Sequence, residues 1–543
     1  MRKTAIYLNF FLVIFYSLSL KAQTFQKAYG VQMPDQQQLF DLTIDQNNSV
    51  YSSGTFRNLS TFPVSAYYGT VSKIDSSGRL LWYKGYLPST YTMFEALFIK
   101  STFQVDKNSV YCFGTFLGDS AGRSGYYLLK LDLNGQVIWS KFIEDEIPEE
   151  FARAIYGNNG IYAVMRNKVV KFNLDGNVVN SVQFNLDYLT LRRLFISKDG
   201  SLILTGDLIK DSKLTTPVIK LDADLNYIQG NLYSVEDIAA WGNAIAEESN
   251  NNIIIGTAEG ISFSIDKNGK INWAKQIKTE QTDSTLSAIN LFKDIQPLSA
   301  EGKDFIATIT GEYYDNVTYQ YYNVVCKLNQ DGKLSDFRVI RKAPFPNNNN
   351  YIPSALKVDR TGQSFFLAGD LTDTAQMYHL NYLHRGKVNG LGCGEEKREV
   401  TILDIKSKVT SESLSDTFLV SYDAEAIPSE FIVKNIQPTY DSTYCFEPTG
   451  TASVFGPAKK LTNVKVYVKR EQNELHILFP ENAENNTQYF IEIYNSTGQI
   501  MMAFESDGKA SEILPIDKLA KGVYYISIVK GDGNIYRQKF INQ

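Results

Sequence analysis

Histidine is the side chain best suited to acid–base work and metal ligation near neutral pH, and the 543-residue chain has three: His379, His384 and His476. His379 and His384 stand five apart around Leu380-Asn381-Tyr382-Leu383. That is neither the spacing of one strand face nor the i,i+4 spacing of a helical zinc pair, so both read as solvated or loop side chains. The chain holds no nucleophile elbow, no glycine-rich phosphate loop and no Cys-x-x-Cys pair. Turns such as Asp132-Leu133-Asn134-Gly135 share residue types with calcium loops but lack the downstream bidentate glutamate. Turn chemistry accounts for them without a metal, and no cofactor, metal or catalytic residue is assigned. Trp82, Trp139, Trp241 and Trp273 could stack on sugar rings. Three of them recur at one position of a repeated motif, which points to packing instead. The tyrosines Tyr313-Tyr314 and Tyr319 to Tyr322 flank what reads as a long loop, the best candidate for an exposed binding surface.

Four cysteines, Cys112, Cys326, Cys393 and Cys445, can pair three ways in an oxidising compartment. Cys393 and Cys445 flank a single segment and are expected to bridge it, whereas Cys112 and Cys326 sit in apolar strand contexts and read as buried free thiols. Export is written at the N-terminus. Arg2 and Lys3 precede the apolar run Ile6 to Leu20, and Leu20-Lys21-Ala22 offers a small residue before Gln23, so residues 1–22 read as a signal peptide cut between Ala22 and Gln23. Loss of Arg2, Lys3 and Lys21 and of no acid takes the formal charge from −5 to −8. A mildly acidic chain without a Lys/Arg cluster is a poor partner for nucleic acid. No other stretch reaches transmembrane length, so no dedicated membrane span is expected.

The elements that would position any site are strands. Tyr (34) and Phe (32) are abundant, and two motifs alternate over residues 24–390. The first is a hairpin, Lys-hydrophobic-Asp-x-x-Gly before an apolar run, as at Asp75, Gly78 and Trp82, at Asp132, Gly135 and Trp139, and at Asp266, Gly269 and Trp273. Further copies centre on Asn173, Asp222 (degenerate) and Asn329, and the spacings are 57, 41, 49, 44 and 63 residues. The second motif is a short apolar strand ending in Gly. Its seven copies end at Gly54, Gly114, Val164 (without Gly), Gly206, Gly256, Gly311 and Gly369. A strand-terminal Gly suits a place where backbones bend or approach closely. Periods of this length, each holding four short strands, indicate β-propeller blades, about seven, with six or eight left open by the uneven copies. The N-terminal Phe25 to Gly30 resembles the last strand of a blade and is expected to complete the ring. The sialidase Asp-box fails on its Asp–Gly spacing. Gly-x-x-x-Trp resembles the tryptophan-docking repeat of quinoprotein dehydrogenases, which implies shared architecture and not a shared cofactor.

Residues 391–448 alternate like strands over Val400 to Lys406, Thr417 to Tyr422 and Glu430 to Ile436, and read as a small β insert closed by the Cys393–Cys445 disulfide. Residues 449–462 have linker composition. From 463 to 543 a compact set of short strands follows. Tyr489 to Gln499, with Tyr494 and Gly498, then Leu514 to Ile528, with Leu519, Gly522 and Tyr524, and finally Lys539-Phe540-Ile541 resemble the type A C-terminal sorting domain of the type IX secretion system of Bacteroidetes. That family's early Pro-Asn-Pro is replaced by Tyr467-Val468-Lys469-Arg470. The resemblance implies an immunoglobulin-like β-sandwich, the type IX secretion machinery as partner, and delivery outside the cell or to its surface. The expectation is an all-β, non-enzymatic propeller that binds an extracellular glycan or protein. The alternative is an extracellular propeller enzyme acting on glycans through a carboxylate pair near its axis.

Overall fold

The computed structural model describes residues 24–542 apart from 31–35, 59–65, 90–95, 119–122, 149–150, 159, 237, 280–287, 300, 315–318, 341–348, 374–377, 392–394, 437, 439, 448–463, 470–472, 480–488, 496–499, 507–510, 518 and 531–534. The expected signal peptide with its Ala22–Gln23 cut and the expected linker 449–462 lie outside the described residues. Contacts divide the chain after Tyr444 into two compact units. Among the described residues there is no α-helix, only strands and two short 3-10 turns.

In the larger unit four-stranded antiparallel sheets follow one another over 36–88, 96–144, 153–184, 189–235, 242–279 and 288–340. The first two are joined by a single parallel bridge, Tyr67 to Ala96. A seventh sheet takes Asn349–Val358, Ser364–Asp373 and Tyr378–Lys387 and is completed by Thr24–Gly30, which pairs with Tyr378–Lys387 so that Phe25 faces Arg385. The first strands of successive sheets touch in order, and that of the seventh touches that of the first, so the seven sheets form a closed cycle. Each sheet is therefore buried on both faces. In Ser109–Leu117, Val110 and Cys112 pack with Tyr51, Val71 and Tyr86 of the first sheet, while Tyr111 and Phe113 pack with Ile161 and Ala163 of the third. A strand with two apolar neighbours reads as an unbroken hydrophobic run, and each large side chain so buried contributes about 1.5–3 kcal/mol. Cys112 and Cys326 are buried and free, and burial pushes the Cys112 thiol up to about 12.

The strand-terminal glycines have a specific cause. Six of the seven first strands shift register, the second and sixth of them twice, with Phe40, Lys100, Arg192, Asn243, Lys293 and Ser354 among the extra residues. Such a bulge swings its backbone over the partner strand. A Cβ on Gly54, Gly114 or Gly206 would lie 1.9, 2.4 or 1.9 Å from the carbonyl oxygen of Gln38, Phe98 or Thr190. In the third sheet, where the motif ends in Val164, Arg153 faces Val164 in unbroken register. Glycine is present where the bulge is, and absent where it is not.

Residues 395–447 do not form a separate insert. Glu395–Lys397 adds a fifth strand to the sixth sheet, Val400–Asp404 to the fifth, Val409–Ser413 to the fourth, Leu419–Ser421 to the third, Ile427–Pro428 to the second and Phe431–Asn435 to the first. Tyr440–Glu447 then joins the seventh beside Thr24–Gly30. The segment is a belt laid around the whole cycle in reverse order, and it covers the outer edges that would otherwise be open to pairing. The expected bridge cannot close a local module, because the strands between its cysteines pair with every sheet. Cys393 and the side chain of Cys445 lie outside the described residues, and the described residues hold no disulfide. The belt starts from a buried ion group: Glu395 accepts from Arg338 at 2.9 Å and faces His384 Nε2 at 2.9 Å, while Arg338 also pairs with Asp336. His384 is wholly buried, contrary to the expectation of a solvated side chain, because Glu395 arrives from the belt to meet it. The side chain of His379 lies outside the described residues.

The smaller unit has a three-stranded sheet (Lys465–Lys469, Glu474–Leu478, Ser511–Pro515) and a four-stranded one (Ile500–Ser506, Tyr489–Asn495, Gly522–Lys530, Ile535–Asn542). They share one core that includes Val466, Leu475, Ile491, Ile493, Leu514, Leu519, Tyr524, Ile526 and Phe540.

Two measurements test these assignments. Gly206→Ala should lower stability by about 1–3 kcal/mol or more in urea unfolding, because a carbonyl occupies the new methyl's place. Gly160→Ala, whose nearest atom would be Phe172 O at 3.2 Å, should cost clearly less. Glu395→Ala should cost about 3 kcal/mol by removing one of the two carboxylates on the buried Arg338 guanidinium, Asp336 being the other, with faster amide exchange spreading from 395 along the belt; unchanged exchange there would show that the anchor is not needed.

Candidate functional site

The residues singled out by the hairpin motif shape turns. Asp75 Oδ1 accepts the amides of Ser77 and Arg79 at 2.9 and 3.0 Å, Asp132 those of Asn134 and Gln136 at 2.9 and 2.8 Å, and Asp266 those of Asn268 and Lys270 at 2.8 and 2.9 Å. Burial opposes the Asp75 charge, but the Ser77 hydroxyl and these amides outweigh it and hold the carboxyl below its usual range. Gly78, Gly135 and Gly269 take φ of 89°, 73° and 80°. The degenerate copy forces Leu225 to φ 69° at the same place. One oxygen of each aspartate is thus committed to the amides of its own turn.

The tryptophans dock on the next sheet's turn. Trp82 Nε1 donates to Leu133 O at 3.2 Å and its ring lies against Gly135, Trp139 lies against Gly176, and Trp273 Nε1 donates to Gln330 O at 2.6 Å beside Gly332. The remaining joints use other donors. Tyr111 donates to Leu174 O at 3.3 Å, Tyr162 to Ala223 O at 2.9 Å, Tyr233 to Gly269 O at 2.7 Å, Arg338 to Lys387 O at 2.7 Å and Arg385 to Ser76 O at 2.9 Å. Every joint of the cycle is crossed by a donor aimed at a backbone carbonyl. Tyr319 to Tyr322 are strand residues, with Tyr314 facing Tyr319 and Gly311 facing Tyr322, and Tyr322 packs against the core. Residues 315–318, where the long loop was expected, lie outside the described residues.

Where the first strands meet, no motif recurs, yet charged side chains converge. Arg153 donates across to Phe40 O at 3.1 Å and to Lys100 O; Arg193 donates to Asn243 O at 2.8 Å and to Lys293 O at 2.9 Å. Each arginine thus links three sheets. The carboxylates are held by amides of the neighbouring sheet: Asp41 by Thr102 N at 3.0 Å, Asp294 by Leu356 N at 3.2 Å and Asp370 by Leu39 N at 2.6 Å. Asp41, Arg153, Arg193, Lys293, Asp294 and Lys357 remain half-buried, so this throat is not sealed. Burial pushes Asp41 upward and takes Asp370 to about 7, in spite of the Leu39 amide and of Lys100 and Lys293. Burial and the neighbouring Arg193 bring Arg153 down to about 9; burial, Arg193 and Arg153 bring Lys293 down to about 8. The bulges gather this set, since Lys100, Arg192 and Lys293 are themselves the inserted residues. Lys100 and Arg192 stand 14 residues before Gly114 and Gly206, but Lys293 stands 18 before Gly311 and Arg153 11 before Val164, so no fixed offset marked the set.

In the smaller unit the sorting motif is a folded loop. Leu519 is buried, Tyr524 stacks on Phe540 at 5.5 Å and donates to Ala520 O at 2.7 Å, and Asn542 donates to Leu519 O at 2.8 Å. Gly522 begins its strand, Tyr494 is half-buried and Lys539 is exposed, while Gly498 lies outside the described residues. Among the described residues no helix is long and apolar enough to cross a membrane.

Asp370→Asn keeps the acceptor for Leu39 N and removes the titration. A carboxyl raised from 3.8 to about 7 on folding destabilises the native state progressively as pH rises through that interval. The variant should therefore gain stability over the parent, by an amount on the order of a few kcal/mol at pH 8 that vanishes towards pH 4, in urea unfolding at both pH values.

Residues 470–543 match the family of secretion system C-terminal sorting domains. No curated protein matches the chain. The tail marks the protein for export by the type IX secretion system, to the extracellular space or the cell surface.

Proposed function

We propose that residues 23–390 form a seven-bladed β-propeller, strapped by the belt, that acts outside the cell as a non-enzymatic ligand-binding or adhesion protein. The observation that carries this reading is the closed cycle of sheets with a donor across every joint, a rigid scaffold with an open, charged throat. The module from 463 to 543 is the immunoglobulin-like sorting domain that engages the type IX machinery, and residues 1–22 are the signal peptide that precedes it. The throat carboxylates support binding over catalysis, because each is committed to an amide that joins two sheets. A glycan-cleaving enzyme is the second reading. Asp370 favours it, being a carboxyl with a pKa near neutrality of the kind a general acid requires.

The intact mass of protein recovered separately from medium, cell surface and periplasm tests the reading. The external form should lack residues 1–22 and the sorting module, and deletion of 470–543 should hold the chain in the periplasm. An uncleaved C-terminus confined to the periplasm would sink the export assignment. Release of reducing sugar from extracellular glycans, abolished in Asp370→Asn, would replace binding by catalysis.

A further inference from the structure

Around the throat Lys100, Arg153, Arg193, Lys293 and Lys357 outnumber Asp41, Asp294 and Asp370. Arg192 is paired with Asp207, whereas among the described residues Arg153, Arg193 and Lys293 have no ion-pair partner. The two arginines use backbone carbonyls, which satisfy hydrogens without neutralising charge. The Lys293 ammonium has no hydrogen-bond partner among the described residues. Asp41 and Asp294 are near enough to act on both arginines; Asp41 accepts the Thr102 amide, and both oxygens of Asp294 are already taken, one by Leu356 N and the other by Ile295 N and the Gln296 side-chain amide. Three cations that repel one another in a half-buried space destabilise the empty protein. They form a good receptor for a negative group that bridges them, since guanidinium and ammonium donors bind oxyanions through short, charge-assisted hydrogen bonds.

We propose that the throat binds one oxyanion, a carboxylate or a sulfate group of an extracellular ligand, between Arg153, Arg193 and Lys293. This rests on the propeller reading and adds the chemistry of what it holds. Arg153 and Arg193 are fixed by their carbonyl bonds and would orient the anion; Lys293, whose ammonium has no hydrogen-bond partner among the described residues, would close on it. Asp41, Asp294 and Asp370 restrict the site to a single anionic group, because a second negative charge would face them directly.

Isothermal titration of the full chain with sodium sulfate, sodium glucuronate and, as a neutral control, glucose tests this at low ionic strength. One anion should bind saturably at one site per chain, glucose should not, and Lys293→Gln should weaken binding ~10-fold or more. Lys210→Gln, on the outer belt contact with Glu412, should not. Preference for sulfate identifies a sulfate ester as the natural group, and preference for glucuronate a carboxylate. Without anion, Lys293→Gln should melt no lower than the parent, which separates a binding role from a structural one. Absence of saturable binding by either anion, or equal binding in Lys293→Gln, overturns the assignment. Hydrogen exchange on the same sample keeps the two readings apart. Protected amides in Thr24–Gly30 with no anion bound would remove only the throat site, whereas freely exchanging amides there would remove the closed ring.

Discussion

Everything in the larger unit depends on one contact made again and again: a donor from one sheet reaching a turn or strand-end carbonyl of the next. Each such hydrogen bond contributes only about 0.5–1.5 kcal/mol net, but a donor left buried without its acceptor costs about 1–3 kcal/mol. In a closed cycle no joint can be lost without disturbing two others. The carbonyl is available because an aspartate or asparagine collects the turn's amides and a residue at positive φ redirects the chain. The turn that makes the hairpin is therefore also the socket for the previous sheet. Leu225 shows how strong the requirement is. It accepts a left-handed backbone, on the order of 1–2 kcal/mol unfavourable, and Tyr162 still finds Ala223 O. Its side chain is buried in the core between the third and fourth sheets, which offsets that strain.

The parts of this architecture that are local in sequence were legible. Strands, hairpins and the closing N-terminal strand follow from alternation and turn chemistry, and the strand-terminal glycines marked the sheets even before the bulges opposite them were known. The missing glycine at Val164 was a correct sign that the third sheet differs. The parts that depend on distant partners were not legible. The belt strands were recognisable as strands, but nothing in Val400 to Asp404 says that its partner is Ile271 to Thr279. His384 looked ordinary because Glu395 reaches it only by way of the belt. The tyrosines around 313–322 were expected to flank a long loop, but their strands stay paired as far as Tyr314 and Tyr319, because a long hairpin and a loop have the same composition when aromatic residues crowd its tip.

The throat was invisible for a different reason. Its residues cluster at and beside the bulged sites of the first strands, but those bulges hold Phe40, Lys100, Arg192, Asn243, Lys293 and Ser354, Arg153 comes from a strand without a bulge, and Asp370 from a second strand. A scaffold repeats its packing residues because every joint solves the same problem. A site does not, because its chemistry is the sum of unlike contributions. The acidic balance of the whole chain also hid a local cationic centre, and net charge describes solubility and long-range attraction better than it describes any one cavity.

The first and last strands of the larger unit, Thr24–Gly30 and Tyr440–Glu447, lie side by side in one sheet. The polypeptide therefore cannot complete its ring as it is made. Phe25 must wait for Arg385, and the outermost strand must wait for the whole belt. Contacts this far apart in the chain close slowly, since the entropy of a large loop is lost before the pairing that compensates it. Until then the ring has an open seam, whose exposed strand edges can pair with other chains. The arrangement ties the completion of the fold to the arrival of the residues just ahead of the sorting tail, so that a chain cut short before its address is also a chain that cannot finish folding.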